Sequence, residues 1–283
     1  MNYKRCSEVD KPLIHQAFLS GYADYAIPMN ITLEPFFERF FGSEGNTLED
    51  SFIAFQNNEP VGLILGGIRT FDRFKNLRCG TLCVTPEYRG EGVSQALFHL
   101  FVQNGINQQC DRLSLEVLSD NDRAIRFYEK QGYKKYHTIS YFSKSVDDNQ
   151  LKHTIVEHIT IKEVDLSVAE GVRKPILSTH INWQNEADYF MQDYTAHCFT
   201  AYLADQIIGT LVITETGKIY FLYVSEDERE KGIARNLLAH AINERNLKKL
   251  TISMPNNIDM AEFLRKLGFM KANIEQYEMY KMV

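Results

Sequence analysis

The segment Arg89-Gly90-Glu91-Gly92-Val93-Ser94 sets an arginine and two glycines just before a run with helical apolar spacing, Val93, Ala96, Leu97, Leu100 and Phe101. A helix starting here has first N–H groups without intrahelical partners. With the positive end of the helix dipole they form an anion site. Glycine lets a phosphate approach the backbone with no Cβ in the way, and Arg89 adds fixed charge beside it. The loop is not a nucleotide P-loop, since no Lys-Ser or Lys-Thr follows its last glycine, and it is not G-x-G-x-x-G. Downstream stand a carboxylate, an amide and a phenol: Glu116, Asn121 and Tyr128. Tyr128 follows Asn121 by seven residues, about two helical turns. A short helix capped by Ser119, Asp120 or Asn121 and ended by Gly132 therefore presents both on one face.

These residues need a strand before the loop and a helix after it, and the chain provides that arrangement twice. CVTPEYRGEGVSQALFHLF is matched by YVSEDEREKGIARNLLAHAI, with Val84 on Val224, Arg89 on Arg229 and Gly92 on Gly232 at an offset of 140 residues. Asn121 and Gly132 match Asn257 and Gly268 at an offset of 136. Upstream, FIAFQNNEPVGLILGGI and FTAYLADQIIGTLVITE both read as hairpins, with Gly62 corresponding to Gly209. The spacing predicts a tandem duplication. Each copy is a mixed α/β unit: a helical opening, a hairpin of long strands, a strand, a helix, a strand, a short helix and a closing strand. The polar stretch SKSVDDNQ, with Asp147, Asp148 and Asn149, interrupts two strand-like runs and places the boundary near residue 148.

Composition agrees with two ordinary globular domains: 283 residues, 44% hydrophobic and 24% charged. The net charge of −6 argues against sequence-independent binding of nucleic acid, which needs clustered Lys and Arg, and suits a cationic or amine ligand better. No apolar run reaches the roughly 18 residues of a membrane span, and the charged start MNYKRCSEVDK has no apolar stretch of a signal peptide, so a cytoplasmic protein is expected. Five cysteines without a C-x-x-C pair indicate neither a disulfide framework nor a zinc site, and the histidines show no metal-ligand spacing.

The pattern R-x-x-G-x-(G/A) after a strand, followed by an N…A…Y…G-(Y/F) segment, resembles the GNAT superfamily of acyl-CoA-dependent N-acyltransferases in both halves. The resemblance implies two tandem GNAT-like domains, 1–148 and 149–283, each a mixed, mostly antiparallel sheet flanked by helices with a splayed central strand. It implies acetyl-CoA as co-substrate, no metal, and a small-molecule or peptide amine as acceptor. Leu82, Cys83 and Val84, with Val224 in the second copy, would face the pantetheine and thioester. Arg89, Gly90, Glu91, Gly92, Val93 and Ser94, and likewise Arg229, Gly232 and Ala234, would hold the pyrophosphate. Ser94 departs from the usual Gly or Ala at its place. LEVLSDNDRAIRFYEKQGY is similar to the ribosomal-protein alanine N-acetyltransferase branch, by which Glu116 would be the general base, Asn121 a cofactor contact and Tyr128 the general acid.

That chemistry is coherent. An amine with pKa about 10.4 must lose a proton near pH 7 before it attacks, a carboxylate can take it directly or through water, and a phenol can protonate a departing thiolate. Plainer roles stand beside these. Tyr128 with Ile125 can pack a helix on the sheet, Glu116 can face solvent, and Asn121 and Asn257 can be N-caps. Cys83 reads as a small core residue, and the stripe Phe36, Phe37, Phe40 and Phe41 reads mostly as core, with Tyr22 and Tyr25 toward an acceptor pocket. In the second copy Leu264 stands where Tyr128 does and Ile252 where Glu116 does. The first half is therefore expected to carry the chemistry and the second to be degenerate or supporting. The alternatives are catalysis in the second half, where Tyr223, Tyr277 or Glu215 would substitute, or a CoA-binding sensor or scaffold.

Overall fold

The computed structural model describes residues 1–25, 29–71, 73–146, 158–176 and 179–283. The predicted boundary stretch around Asp147, Asp148 and Asn149 lies outside these. The chain forms two compact units: residues 1–136 with 277–283, and residues 137–276.

The first unit opens with β1 (Asn2–Arg5) and α1 (Lys11–Gly21). Then α2 (Leu33–Phe37) runs into a wide π-helical turn (Glu38–Ser43), followed by β2 (Thr47–Gln56), β3 (Glu59–Phe71), β4 (Phe74–Val84), α3 (Val93–Asn107), β5 (Arg112–Leu118) and α4 (Asp122–Lys130). Next comes β6 (Lys134–Ser145). The second unit repeats the plan with β7 (Ile159–Val164), α5 (Leu166–Arg173), a short α6 (Ala187–Phe190), β8 (Ala196–Leu203), β9 (Gln206–Thr214), β10 (Lys218–Val224), α7 (Ile233–Arg245), β11 (Lys249–Pro255), α8 (Ile258–Lys266) and β12 (Met270–Met282).

The predicted hairpins are both present. Asn57 and Asn58, at φ of 50° and 68°, make the left-handed two-residue turn that matches the twist of β2 and β3, and Ala204 at 53° turns β8 into β9. Antiparallel pairing then runs β1-β2-β3-β4 and β7-β8-β9-β10, and one parallel pair follows in each unit, β4 with β5 and β10 with β11.

The boundary near residue 148 is corrected. Residues 139–145 of β6 pair antiparallel with Lys249–Pro255 of β11, while residues 277–283 belong with the first unit. The strand order of the first unit is β1-β2-β3-β4-β5-β12, and in the second β6 lies beside β11 in the matching place. Each copy is thus closed by the strand that follows the other copy's short helix. The division falls between Tyr136 and His137 because a strand belongs with the neighbour that satisfies its backbone, and sequence order does not decide which neighbour that is.

Two apolar layers sandwich the first sheet. Val93, Leu97, Phe98 and Phe101 of α3 pack with Ile125 and Tyr128 of α4 against Leu77, Leu113 and Leu115. On the other face Ile14, Phe18, Phe36 and Phe40 cover Ile53, Leu63, Leu65 and Cys83, so the aromatic stripe is core as expected, with Phe37 and Phe41 at its margin. In the second unit Leu237, Leu238 and Ala241 of α7 cover Phe199, Leu211 and Leu250.

Candidate active site

Parallel pairing of β4 with β5 ends early. It joins Asn76–Cys79 to Arg112–Leu115, after which β4 follows only β3, through a bulge between the Gly66↔Cys79 and Leu65↔Thr81 rungs, to Val84↔Gly62. The Thr85 N–H donates to the Val61 carbonyl at 2.9 Å, so in the antiparallel alternation Val84 and Leu82 are non-hydrogen-bonded positions on β3. Their N–H and C=O groups are directed toward the side from which β5 has diverged. The second unit has the same opening: β10 pairs with β11 only at Lys218 and Ile219, bulges before Phe221 and ends at Val224↔Gly209.

At the mouth of each opening the Gly-rich turn starts a helix. Gly92 at φ 83° precedes α3, and Gly232 at 86° precedes α7; neither helix has a side-chain cap. This left-handed cap conformation favours glycine, and it leaves the first N–H groups of a long helix open to an anion. A Cβ built on Gly90 or Gly92 meets no atom within 4 Å, so the cradle is roomy as well as uncapped. Val93 is buried in the core under the turn, Glu91 is exposed and Ser94 half-buried. These features fit a diphosphate with an extended amide-bearing arm: a cradle of N–H groups, then a strand that turns the N–H groups of Leu82 and Val84 and the Leu82 carbonyl into the opening, the Val84 carbonyl being taken by Arg89.

Arg89 is not turned toward this cradle. Its guanidinium grips both carboxylate oxygens of Asp24 at 2.7 Å, while Nε donates to the Val84 carbonyl at 2.9 Å and Nη2 to the Gly21 carbonyl at 3.2 Å. The hydrogen bond and charge of Arg89 hold the exposed Asp24 carboxyl below its usual value. A carboxylate with a depressed folded value keeps its pair as pH falls through the ordinary carboxylate range and loses it only below. Arg229 donates to the matching carbonyl of Val224 at 3.4 Å and meets only Glu226, at 3.8 Å, among the ion pairs of the described residues.

Tyr128 is buried on α4 against Phe98 and Phe127, with ring centroids 5.6 and 5.4 Å away. Burial pushes its phenol well above 10. Tyr22, at the end of α1, shares a hydrogen bond with Thr81 at 3.2 Å and packs edge-on against Tyr25 at 5.0 Å. Asn121 caps α4, its Oδ1 accepting from the Ala124 N–H at 3.1 Å, and Asn257 caps α8 the same way from Met260 at 2.9 Å. Glu116 is not solvent-facing. It forms a buried ion pair with Arg78, whose Nε and Nη2 both contact Oε2, at 2.8 and 2.6 Å, while Oε1 receives neither contact.

Sequence reasoning did not find Arg78 or Thr81, or the pairing of Asp24 with Arg89. Arg78 lies between core residues Leu77 and Cys79, so strand alternation alone could have put it on the face opposite α3, but its partner is 38 residues away. In the second unit Leu264 is fully buried. The strand register corrects the match of Ile252 to Glu116: Ile252 lies opposite Ile219 as Leu115 lies opposite Cys79 and packs in the core under α7, so Ser253 takes the place of Glu116. Lys218, the counterpart of Arg78, lies over the Tyr220 ring at 4.2 Å.

All five cysteines are free and buried. Burial pushes the Cys79 and Cys83 thiols up to about 12 and Cys198 up to about 11. Because the thiolate is the reactive form, a disulfide reagent near pH 8 is expected to titrate none of them in the folded protein and all after denaturation. A fast-reacting thiol before unfolding would contradict this and reopen Cys83 as a nucleophile.

Residues 17–133 match the Acetyltransferase (GNAT) family model, and residues 165–280 match the Acetyltransferase (GNAT) domain model. Among solved structures the chain is similar to a tandem GNAT protein from the clavulanic acid biosynthesis pathway (TM-score 0.70, 13% identity, covering 99% of this chain and 98% of that one). It is also similar to GCN5-related N-acetyltransferases from Sphaerobacter thermophilus (0.69, 14%, 99% and 95%) and Anabaena variabilis (0.64, 15%, 99% and 72%). At these identities the structural likeness speaks for the fold. Two family models, each laid over one open strand pair and its uncapped Gly-rich helix start, show that this chain is an acyltransferase belonging to the GNAT family, with two such domains in tandem.

Proposed function

We propose that the first unit moves an acetyl group from acetyl-CoA to a primary amine by direct attack, and that the second unit keeps the cofactor loop without the chemistry. The observation that carries this is the asymmetry of the two openings. Glu116 and Tyr128 flank the first, whereas in the second Ser253, which has no carboxylate to take a proton, and Leu264, which has no proton to give, occupy those places. Acetyl-CoA when bound supplies an acyl thioester.

The chain's own groups would then act in order. The N–H groups opening α3, beyond Gly92, hold the pyrophosphate, and the backbone of Leu82 to Val84 aligns the arm. Glu116 takes the proton of the acceptor amine on Oε1, directly or through water, while Arg78 fixes the carboxylate by Oε2. The Val84 N–H donates to the thioester carbonyl oxygen as charge grows on it. Tyr128 gives its proton to the sulfur as the N–C bond forms and the C–S bond breaks, and the second proton shed by the nitrogen restores the phenol, directly or through water. Asn121 stays with the cap of α4, which sets the angle of Tyr128.

Free-thiol release from acetyl-CoA against polyamines, aminoglycosides, amino acids and peptides with free N-termini tests activity and acceptor together. Thiol release with at least one amine class is expected. CoA binding measured by calorimetry with no release across the panel would favour a sensor instead.

A further inference from the structure

The end of α1 is fastened to β4 and to the Gly-rich loop by three separate contacts. Gly21 sits so close to β4 that a Cβ there would fall 2.4 Å from the Cys83 sulfur, so only glycine permits the approach. One residue on, Tyr22 shares its hydrogen bond with Thr81 beside the bulge. Arg89, from the loop itself, takes the Gly21 carbonyl and both oxygens of Asp24. Among the described residues the last turn is otherwise held by Tyr22 N–H to Phe18, Ala23 N–H to Ser20 at 3.4 Å and Tyr25 N–H to Tyr22. Tyr22 and Tyr25 lie on this turn, at the end of the opening where Tyr128 also acts. Among the described residues the second unit's loop shows no such partner: Arg229 is more exposed and meets a residue of its own turn.

We propose that Asp24 is a positioning residue, coupling the cofactor loop to the acceptor side by tying the tyrosine-bearing end of α1 to Arg89. The inference rests on the reading of that loop as the cofactor site. Arg89 thereby serves as a strut rather than as a phosphate ligand, and when the loop is braced by a bound diphosphate the turn carrying Tyr22 and Tyr25 is braced with it. Removing the carboxylate leaves the loop's N–H cradle intact but unties the turn. A misplacement of about 1 Å at reacting groups is enough to cost up to about a hundredfold in rate.

The test uses the full chain and CoA itself. Calorimetry is expected to give Asp24→Asn a CoA Kd within about twofold of the wild type, because the backbone cradle is untouched. Backbone hydrogen exchange is expected to show CoA slowing Tyr22, Ala23 and Tyr25 by about tenfold in the wild type and hardly at all in Asp24→Asn, with Asp24→Glu restoring the effect. Equal slowing in Asp24→Asn and the wild type would overturn the tie while leaving the cofactor reading in place. A change of CoA affinity by tenfold or more in Asp24→Asn would also overturn it, making Arg89 a phosphate ligand under Asp24's control. If CoA fails to bind the wild type, the cofactor reading falls and takes this one with it.

Discussion

Tyr128→Phe is expected to lower kcat by about 10²- to 10³-fold, the range a positioned proton donor contributes, with little change in CoA affinity or fold. The ring contacts of Tyr128 with Phe98, Phe127 and Tyr133 are all available to phenylalanine, so the substitution removes the hydroxyl alone. Burial raises the phenol well above 10, which keeps it protonated throughout any working range. In the proposed mechanism Tyr128 would thus be a standing reservoir of one proton for the leaving sulfur. A group with a raised value loses its proton only above that value, so the wild-type pH–rate profile is expected to show no alkaline limb from Tyr128 below about pH 10. Steady-state turnover with the amine found by thiol release gives the measurement. A kcat unchanged in Tyr128→Phe would return Tyr128 to the aromatic core of α3 and α4 and remove the main reason for assigning the chemistry to the first unit.

The elements were readable from the chain because each rests on a local rule. Paired asparagines made the hairpin turn, helical spacing beyond Gly92 and Gly232 marked α3 and α7, and Asn121 and Asn257 marked the caps of α4 and α8. The splay followed from the family resemblance, and the early end of the β4–β5 and β10–β11 ladders supplies its geometry. The closing strands were a different matter. Residues 137–145 alternate well enough to sit against either β5 or β11, since period-two alternation fixes which face is buried and leaves the neighbour open. The duplication makes this worse, because both copies present an equivalent edge.

Within the site, the residues named from the pattern fell on the expected elements, but what each side chain touches was hidden by distance along the chain. Arg89 read as a charge for the pyrophosphate until Asp24, 65 residues earlier, proved to hold it. Glu116 read as a choice between base and solvent-facing residue, and the structure gives a third state, a buried carboxylate with a guanidinium on one oxygen.

That ion pair makes Glu116→Gln the most informative single change after Tyr128→Phe. The two side chains are only 5% and 9% exposed, so removing the carboxylate charge strands Arg78 in a poorly solvated place. Breaking a buried pair in this way destabilises a protein by about 3–5 kcal/mol, and loss of the base lowers kcat by about 10²-fold or more in addition. One variant cannot separate these effects, but a pair can. Replacing both partners with apolar groups, Arg78→Met with Glu116→Leu, removes two charges together, and buried pairs exchanged in this way come out near neutral in stability. The second unit already carries a version of the change: Ser253 stands in the place of the carboxylate, and Lys218 lies over the Tyr220 ring. The double variant is therefore expected to regain most of the thermal stability lost by Glu116→Gln while staying as slow as the single variant. If its turnover recovers along with its stability, Glu116 only neutralises Arg78, and the amine gives up its proton elsewhere. If stability returns and turnover does not, the Glu116 carboxylate itself takes the proton rather than merely neutralising Arg78.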